Sequence, residues 1–199
     1  MITYIIAIVV AMALISLVNI LAVTSLSWHY IIVATITLTA LEFLLDMIIS
    51  GLACIIPRKF YSQNNKLFKV FSFEKKFYEN IGIKKWKDYL PIGAGPLGIG
   101  FKKDKVSEPD NPDYLLKFME ESCLAEFMHI ISAFLGFLLL LISPKAIMIS
   151  ITLPVCFVNF VLQLLPFFVQ RYNRPKLAVL YKRALRNKNK EIQNENNLD

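Results

Sequence analysis

Cysteine is too sparse in this 199-residue chain to organise a disulfide-linked fold. Cys54, Cys123 and Cys156 are odd in number and have no CxxC spacing, which suits neither a disulfide framework nor a cysteine zinc site. Charge is also scarce: 19% of residues are charged, against about 25% in globular proteins. Hydrophobic residues make up 56% of the chain, above the usual value of about 45–50%. This content excludes disorder, and its concentration in long runs indicates a small integral membrane protein rather than a soluble multidomain enzyme.

Four apolar runs are interpreted as transmembrane helices, for which roughly 20 residues suffice to cross a bilayer. They cover residues 2–26, 31–56, 127–142 and 146–169. The first run lacks a basic leader and is long for a signal peptide, so it is interpreted as a retained span. The predicted fold class is an all-α membrane protein, a single integral domain built as a bundle of four transmembrane helices.

The 22 basic residues predict how the chain lies in the membrane. Thirteen fall in residues 57–125, eight follow Val169, and Lys145 is the remaining one. Four spans place the middle segment and both termini on one side, and the positive-inside rule makes that side cytoplasmic. The polar tail, residues 187–199, is expected to be frayed.

The cytoplasmic segment between the second and third spans, residues 57–126, is basic and aromatic. From Lys66 it reads KLFKVFSFEKKFYENIGIKKWKDYL, with aromatic rings interleaved among lysines. Rings suit the headgroup layer and lysines attract anionic lipid, so the segment is predicted to lie at the membrane interface. The same charge would suit nucleic acid, but tethering between two spans argues against it, and no nucleic-acid partner is expected.

Two carboxylates interrupt the second span, where an acid costs roughly 2.5–3.5 kcal/mol and indicates function by default. Glu42 and Asp46 share a narrow helical stripe with Thr35, Thr39 and Ser50, since successive residues are about 100° apart. Two ionised acids four residues apart repel each other. Either one of them is protonated or a cation lies between them.

Polar residues in the third and fourth spans extend this pattern. Asn159, Gln163 and Gln170 lie within about 40° of one another on a helix. Glu126 and His129 are three residues apart and share a face at the cytoplasmic entrance of the third span. The alternative for the amides is interhelical hydrogen-bonding, worth about 0.6 kcal/mol each. The pattern predicts one polar cavity, open to the cytoplasm, lined by Glu42, Asp46, Glu126, His129 and Asn159.

A glycine cluster, PIGAGPLGIGF, holds four of the seven glycines. A pyrophosphate fingerprint needs a preceding strand and a following helix, which the flanking segments do not suggest. The alternatives left open are an ordinary loop and a flexible loop that closes over a substrate or the phosphate of an acyl donor. Cys123 is interpreted as a buried thiol rather than an acyl-carrying nucleophile.

Three stretches form a recognisable set: FKVFSFEKKFYENIGIKKWKDYLP, EESCLAEFMH and NFVLQLLPFFVQRYNRPKL. Their pattern is a Phe-rich basic segment ending in a KxWK-like element, then E-x4-A/G-E-x2-H, then N followed by QRYNRPR. In this order they resemble the glycosyl-4,4'-diaponeurosporenoate acyltransferase family of staphyloxanthin-type carotenoid biosynthesis. The resemblance covers roughly residues 57–186. Its most specific motif matches from Gln170 to Pro175, with Lys176 where the family tends to have Arg.

The resemblance implies transfer of a fatty acyl group to a sugar hydroxyl of a glycosylated membrane lipid, such as a glycosyl carotenoid, in a bacterial cell membrane. It implies acyl-CoA or acyl carrier protein as the donor substrate, no cofactor, no metal, and association with other biosynthetic membrane enzymes. Two features depart from the family pattern: the additional hydrophobic span at the N-terminus, and Cys123-Leu124 where the family has basic residues.

The resemblance also suggests roles for single residues. Glu121, Glu126 and His129 match the acidic–histidine motif and are the expected catalytic residues, with His129 as general base oriented by Glu126. Arg171 with Asn173 is expected to position the acyl donor or the oxyanion. The residues expected to bind substrates are Glu42, Asp46, Trp86, Lys87, Asn159, Gln170, Arg171, Asn173 and Arg174.

Two other classes of function stay open at this point. An intramembrane metal-dependent hydrolase would use Glu121, Glu126 and His129, with Glu42 or Asp46, to hold a divalent ion. One motif histidine is fewer than zinc usually has. A non-enzymatic membrane subunit would instead scaffold neighbouring biosynthetic enzymes.

Overall fold

The computed structural model of the chain describes residues 2–23, 25–90 and 105–196. Within these ranges the chain is helical and forms no strand. A 3₁₀ turn, Gly136–Leu138, follows the fifth helix, and a π-helical turn, Met148–Thr152, precedes the last one. The α-helices are α1 Ile2–Ala22, α2 Trp28–Ile55, α3 Ser72–Asn80, α4 Ile83–Trp86, α5 Pro112–Leu135, α6 Leu139–Ile142, α7 Lys145–Ile147 and α8 Leu153–Asn196.

The prediction of an all-α membrane protein with four spans is confirmed. In the described ranges, four helical stretches are long and apolar enough to cross a membrane: Ile2–Ala22, Trp28–Ile55, Pro112–Ile142 and Lys145–Asn194. The third stretch begins well before the predicted residue 127, because α5 continues into the polar sequence that precedes the apolar run.

The expectation that the polar tail frays is wrong for residues 187–196, which belong to α8. The last turns of α8 have partners that explain this. Ala184 is buried in a cluster with Leu115 and Met119 of α5, and the Lys188 ammonium lies 3.2 Å from Asp113. Packing at Ala184 therefore supports α8 just before this segment, and Lys188 adds one exposed ion pair within it.

The chain divides into two compact units. The first unit contains residues 1–55, 89–91 and 127–167, and the second contains residues 56–88, 92–126 and 168–199. α5 and α8 each contribute residues to both. The core of the first unit is formed by Ile31, Leu38, Leu139, Ile147, Ile151, Val155 and Cys156, and a cluster in the second by Leu115, Phe118, Met119, Leu177 and Ala184.

Pro154 near the start of the fourth span fixes one contact with α1. A proline inside a helix has no N–H, so the carbonyl four residues earlier loses its helical partner. Here that carbonyl belongs to Ser150, and the Nδ2 of Asn19 donates to it at 2.7 Å. Asn19 is the buried residue of α1, with 3% of its surface exposed. Asn19 thus ties α1 to the π-helical turn just before Pro154.

Pro166 repeats the arrangement three turns further along α8. Its missing N–H leaves the carbonyl of Leu162 without a helical partner, and the hydroxyl of Tyr4 donates to that carbonyl. An unsatisfied backbone group costs several kcal/mol in the hydrocarbon core. Tyr4 and Asn19, near opposite ends of α1, therefore set the register of α1 against the fourth span.

Candidate functional site

A network of polar side chains lies inside the first unit. Asn159 donates through Nδ2 to Glu42 Oε2 at 2.9 Å, and Gln163 donates through Nε2 to Asp46 Oδ2 at 2.5 Å. The Nδ1 of His129 lies 2.7 Å from Gln163 Oε1. Helices α2, α5 and α8 thus bring together residues that the helical phases predict to meet.

The network assigns the tautomer of His129. The Gln163 amide uses its N–H on Asp46, so the oxygen that faces His129 is an acceptor. His129 must then donate from Nδ1, which leaves Nε2 as the nitrogen that accepts a proton. His129 is half-buried. The chain Asp46–Gln163–His129 is a suitable arrangement for a general base with fixed orientation.

Gly136, in the 3₁₀ turn after α5, is the contact point between the network and the third span. A methyl group at this position would lie 2.7 Å from Glu42 Oε2 and 2.9 Å from Asn159 Nδ2. Both distances are shorter than van der Waals contact allows. An alanine at this position would therefore require the Glu42–Asn159 pair to shift.

We expect Gly136→Ala to separate this pair and destabilise the protein by about 1–3 kcal/mol, the usual effect of overpacking. Acyl transfer is expected to fall with it, because Asn159 and Gln163 are neighbours in the same network. Thermal unfolding in detergent measures the first effect. Gly51→Ala is the control, since nothing lies within 4 Å of a methyl group there and helix propensity favours alanine. Equal stability of the two variants would contradict the assigned role of Gly136.

A cleft opens beside the network. One wall is the apolar face of α1, and the polar residues of α2 and α8 form the other. The Oε1 of Glu42 and the Oδ1 of Asp46 are buried and have no hydrogen-bond partner among the described residues. The lining residues are Tyr4, Ile8, Ala11, Met12, Ile15, Thr39, Glu42, Phe43, Asp46, Val155, Val158, Asn159, Leu162 and Gln163.

The second unit contains a separate buried ion cluster. Arg171 donates to Glu74 from Nε at 2.6 Å and from Nη2 at 2.5 Å, and to Glu126 from Nη1 at 2.5 Å. Arg174 donates to the other oxygen of Glu126 and, at 2.8 Å, to the carbonyl of Phe68. The four charged side chains are all buried. Two arginines balance two carboxylates, which is the condition for holding such charges out of water.

Glu74 shows the electrostatic effect of this cluster. Burial alone would raise the pKa of its carboxyl, but hydrogen bonds from Arg171, from the backbone N–H of Phe71 and from the Tyr78 hydroxyl hold the pKa below its usual range. Burial, together with the Glu74 carboxylate, raises the pKa of Tyr78. The cluster is therefore stable as an ionised group, and acidification that protonates Glu74 removes its contribution to stability.

The part of the sequence that matches known proteins includes most of the second unit and the polar motifs of the third and fourth spans. A family profile described as glycosyl-4,4'-diaponeurosporenoate acyltransferase matches residues 57–183. Two proteins named glycosyl-4,4'-diaponeurosporenoate acyltransferase, from Staphylococcus aureus strains bovine RF122 / ET3-1 and N315, are each 30% identical over 139 residues. Each alignment covers 66% of this chain and 78% of the relative. The chain belongs to the glycosyl-4,4'-diaponeurosporenoate acyltransferase family. No solved structure matches it significantly.

Membership in this family confirms the resemblance and makes the protein an acyltransferase. The matched segment begins at residue 57, after α1 and α2. Glu42 and Asp46 therefore lie outside the family profile, whereas His129, Asn159 and Gln163 lie inside it. The polar network combines residues from both parts of the chain.

The expected pairing of Glu126 with His129 has no supporting contact. Both oxygens of Glu126 accept hydrogen bonds from Arg171 and Arg174, and the Nδ1 of His129 faces Gln163. Two guanidinium groups stabilise a buried carboxylate far better than a neutral imidazole does. The side chain in contact with Nδ1 of His129 is Gln163, and the catalytic roles of His129 and Glu126 stay predictions.

The expected contact of Arg171 and Arg174 with a substrate stays a prediction, and in the structure both side chains donate to groups of the protein. Nε, Nη1 and Nη2 of Arg171 all donate to groups of the protein, including the carbonyl of Lys69 at 2.8 Å. These arginines therefore organise the second unit. Asn173, between them, is half-buried.

The remaining predicted site residues have local partners in the second unit. Gln170 accepts a hydrogen bond from Ser122 at 2.9 Å, and Glu121 lies 2.9 Å from Arg58. Trp86 donates to the carbonyl of Ile81 at 3.1 Å. Lys87 pairs with the adjacent Asp88 at 2.9 Å. Their proposed roles in substrate binding stay predictions.

Two other expectations concern metal and the glycine cluster. Among the residues that the structure describes, no three His, Cys, Asp or Glu side chains form a group that could hold a metal ion. Glu121 and Glu126, which a metal-dependent hydrolase would use, are paired with arginines instead. The glycine cluster lies in residues 91–101, outside the described residues.

Sequence reasoning missed Glu74, Tyr4, Asn19 and Gly136. A signal existed for three of them. Glu74 is an acid inside a basic aromatic segment, and Tyr4 and Asn19 are polar residues in an otherwise apolar span opposite one that contains prolines. Gly136 had no signal, because its importance depends on the atoms that a methyl group would meet.

Proposed function

We propose that this protein transfers a fatty acyl group from a thioester donor, acyl-CoA or acyl carrier protein, to a sugar hydroxyl of a glycosylated membrane lipid such as a glycosyl carotenoid. The observation that carries the proposal is the Asp46–Gln163–His129 chain, which leaves His129 Nε2 as a proton acceptor in a family of acyltransferases. The relatives' name specifies a glycosyl-4,4'-diaponeurosporenoate acceptor, and the cleft beside His129's network has the mixed polar and apolar lining that such a lipid requires.

A single general base is sufficient for this acyl transfer. The sugar hydroxyl loses its proton to Nε2 of His129 as its oxygen attacks the thioester carbonyl carbon. A C–O bond forms, the C–S bond breaks, and the proton on His129 passes to the departing sulfur. The amide of Asn159, which donates one of its two N–H groups to Glu42, is a neutral hydrogen-bond donor of the network for stabilising the oxyanion.

Mass spectrometry of cellular glycolipids with and without the gene tests this function. A single glycosylated lipid should lack its acyl chain when the gene is deleted. Complementation with His129→Ala then separates an enzyme from a scaffold, because a scaffold would restore the acylated lipid without its base. An unchanged glycolipid profile after deletion would refute the proposed reaction.

We also propose that both termini and the segment between α2 and α5 lie on the cytoplasmic side of the cell membrane. The distribution of basic residues supports this, with Lys145 as the exception on the outer side. In a background in which Cys54, Cys123 and Cys156 are replaced, a membrane-impermeant thiol reagent should label Lys145→Cys but not Asn189→Cys in intact cells. Both native positions are exposed in the structure. Labelling of both variants from the outside would contradict this topology.

A further inference from the structure

The cleft of the first unit has the features of a binding site for an amphiphile. Five residues of α1 line it at helical spacing, Tyr4, Ile8, Ala11, Met12 and Ile15. All five are half-buried, and the residues that lie between them on α1 are exposed. They cover about 17 Å along the helix, roughly half of the hydrocarbon thickness of a bilayer. An extended apolar chain fits this wall.

The opposite wall is polar and has unused acceptors. Glu42 is 4% exposed, and its Oε2 is bound by Asn159 while its Oε1 has no hydrogen-bond partner in the described part of the chain. The same holds for Oδ1 of Asp46, whose other oxygen is bound by Gln163. Buried carboxylate oxygens without partners are costly, and a bound hydroxyl group would satisfy them.

The charge of the wall selects among amphiphiles. Glu42 and Asp46 are acids, and none of the residues that line the cleft is a lysine or arginine. A phosphate-bearing headgroup or the phosphate of an acyl donor would face carboxylates without a counter-cation, which is unfavourable in a medium of low polarity. A neutral head that carries hydroxyl groups is the complementary ligand.

We infer that this cleft binds the acceptor lipid of the proposed reaction, with the sugar hydroxyls on Glu42 and Asp46 and the apolar chain along α1. The inference rests on the proposed function for its choice of glycosylated lipid. In this inference α1 forms the apolar wall of the acceptor site. This helix precedes the segment matched by the family profile. The donor and its phosphates bind elsewhere.

A photoreactive alkyl glucoside tests the site directly. The full-length protein in phosphatidylcholine nanodiscs is labelled with a diazirine-bearing dodecyl glucoside, and the labelled residues are mapped by mass spectrometry. Label is expected on the lining face of α1. Excess dodecyl glucoside should remove at least about nine tenths of the label, whereas the same concentration of dodecyl phosphate should leave most of it.

Matched variants test where the alkyl chain of the ligand lies. Met12→Trp fills the cleft and is expected to lower specific labelling about tenfold, while Val9→Trp, on the exposed face of the same helix, should leave it unchanged. Glu42→Gln combined with Asp46→Asn removes the acids and should let dodecyl phosphate compete as well as the glucoside. Labelling that survives Met12→Trp, or equal competition by the phosphate in the unmodified protein, would overturn the assignment. Because labelling needs no acyl transfer, a failure of the proposed reaction leaves this readout intact and is seen separately in the glycolipid profile.

Discussion

Replacing His129 by alanine is expected to reduce acyl transfer by about 10²–10⁴-fold, the usual contribution of a positioned general base. The hydrogen-bond chain from Asp46 through Gln163 directs the Nδ1 proton of His129 and leaves Nε2 to accept the proton of the acceptor hydroxyl. Alanine removes the acceptor without disturbing the Glu42–Asn159 pair. Turnover of a glycosylated acceptor in purified membranes measures the effect, with expression and insertion checked in parallel.

His29 provides the matched control, because it is the chain's other histidine. It begins α2 beside Trp28, with which its ring stacks, and His29→Ala is expected to keep wild-type turnover. Gln163→Leu should give an intermediate loss and a changed pH profile, since the imidazole stays but loses the group that fixes its tautomer. If His129→Ala retains more than about a tenth of wild-type turnover, it is not the base, and the carboxylates of Glu42 and Asp46 become the candidates to test.

Replacing Arg171 by alanine should destabilise the protein by about 3–5 kcal/mol, because it leaves Glu74 and part of Glu126 buried without their cation. This is a large fraction of the total stability of about 5–15 kcal/mol that folded proteins have. Arg171→Lys keeps the charge but cannot make the two bonds to Glu74 together with the bond to Glu126. It should lose about 1.5–3 kcal/mol for each charged hydrogen bond that is not remade. Thermal unfolding followed by size-exclusion chromatography measures both variants.

Arg183, exposed on the same helix, is the control, and Arg183→Ala should unfold at the wild-type temperature. The two roles considered for Arg171 give different results. A residue that positions the acyl donor would raise the KM for the donor in a protein of unchanged stability. Normal unfolding of Arg171→Ala combined with such a KM change would show that the ion cluster is not structural.

Most of the fold was predictable because hydrophobic runs report membrane spans directly. The polar face of the second span was also predictable, since Glu42 and Asp46 in lipid need partners and helical phase points them toward Asn159. The starts and ends of α5 and α8 were not predictable. Their polar extensions are helical because they pack against each other, through Ala184 and Leu115, and such packing is not encoded in local composition.

The partners of Glu126 show the limit of spacing arguments. Three residues of separation correctly place Glu126 and His129 on one helical face, but spacing does not say which other elements present a stronger partner. Those partners, Arg171 and Arg174, come from a distant part of the sequence. The same is true of Glu74, which shares Arg171 with Glu126 although 52 residues separate the two acids. The expected catalytic role of Glu121 stays a prediction.

The hydrogen bonds from α1 to the fourth span join segments that are far apart in the order of synthesis. Asn19 is made 131 residues before Ser150, and Tyr4 158 residues before Leu162. During synthesis, α1 therefore enters the bilayer long before the helix whose carbonyls it must satisfy. Until the two meet, those carbonyls have no donor in a hydrocarbon solvent. The fourth span therefore receives these two hydrogen bonds from a helix that is synthesised first.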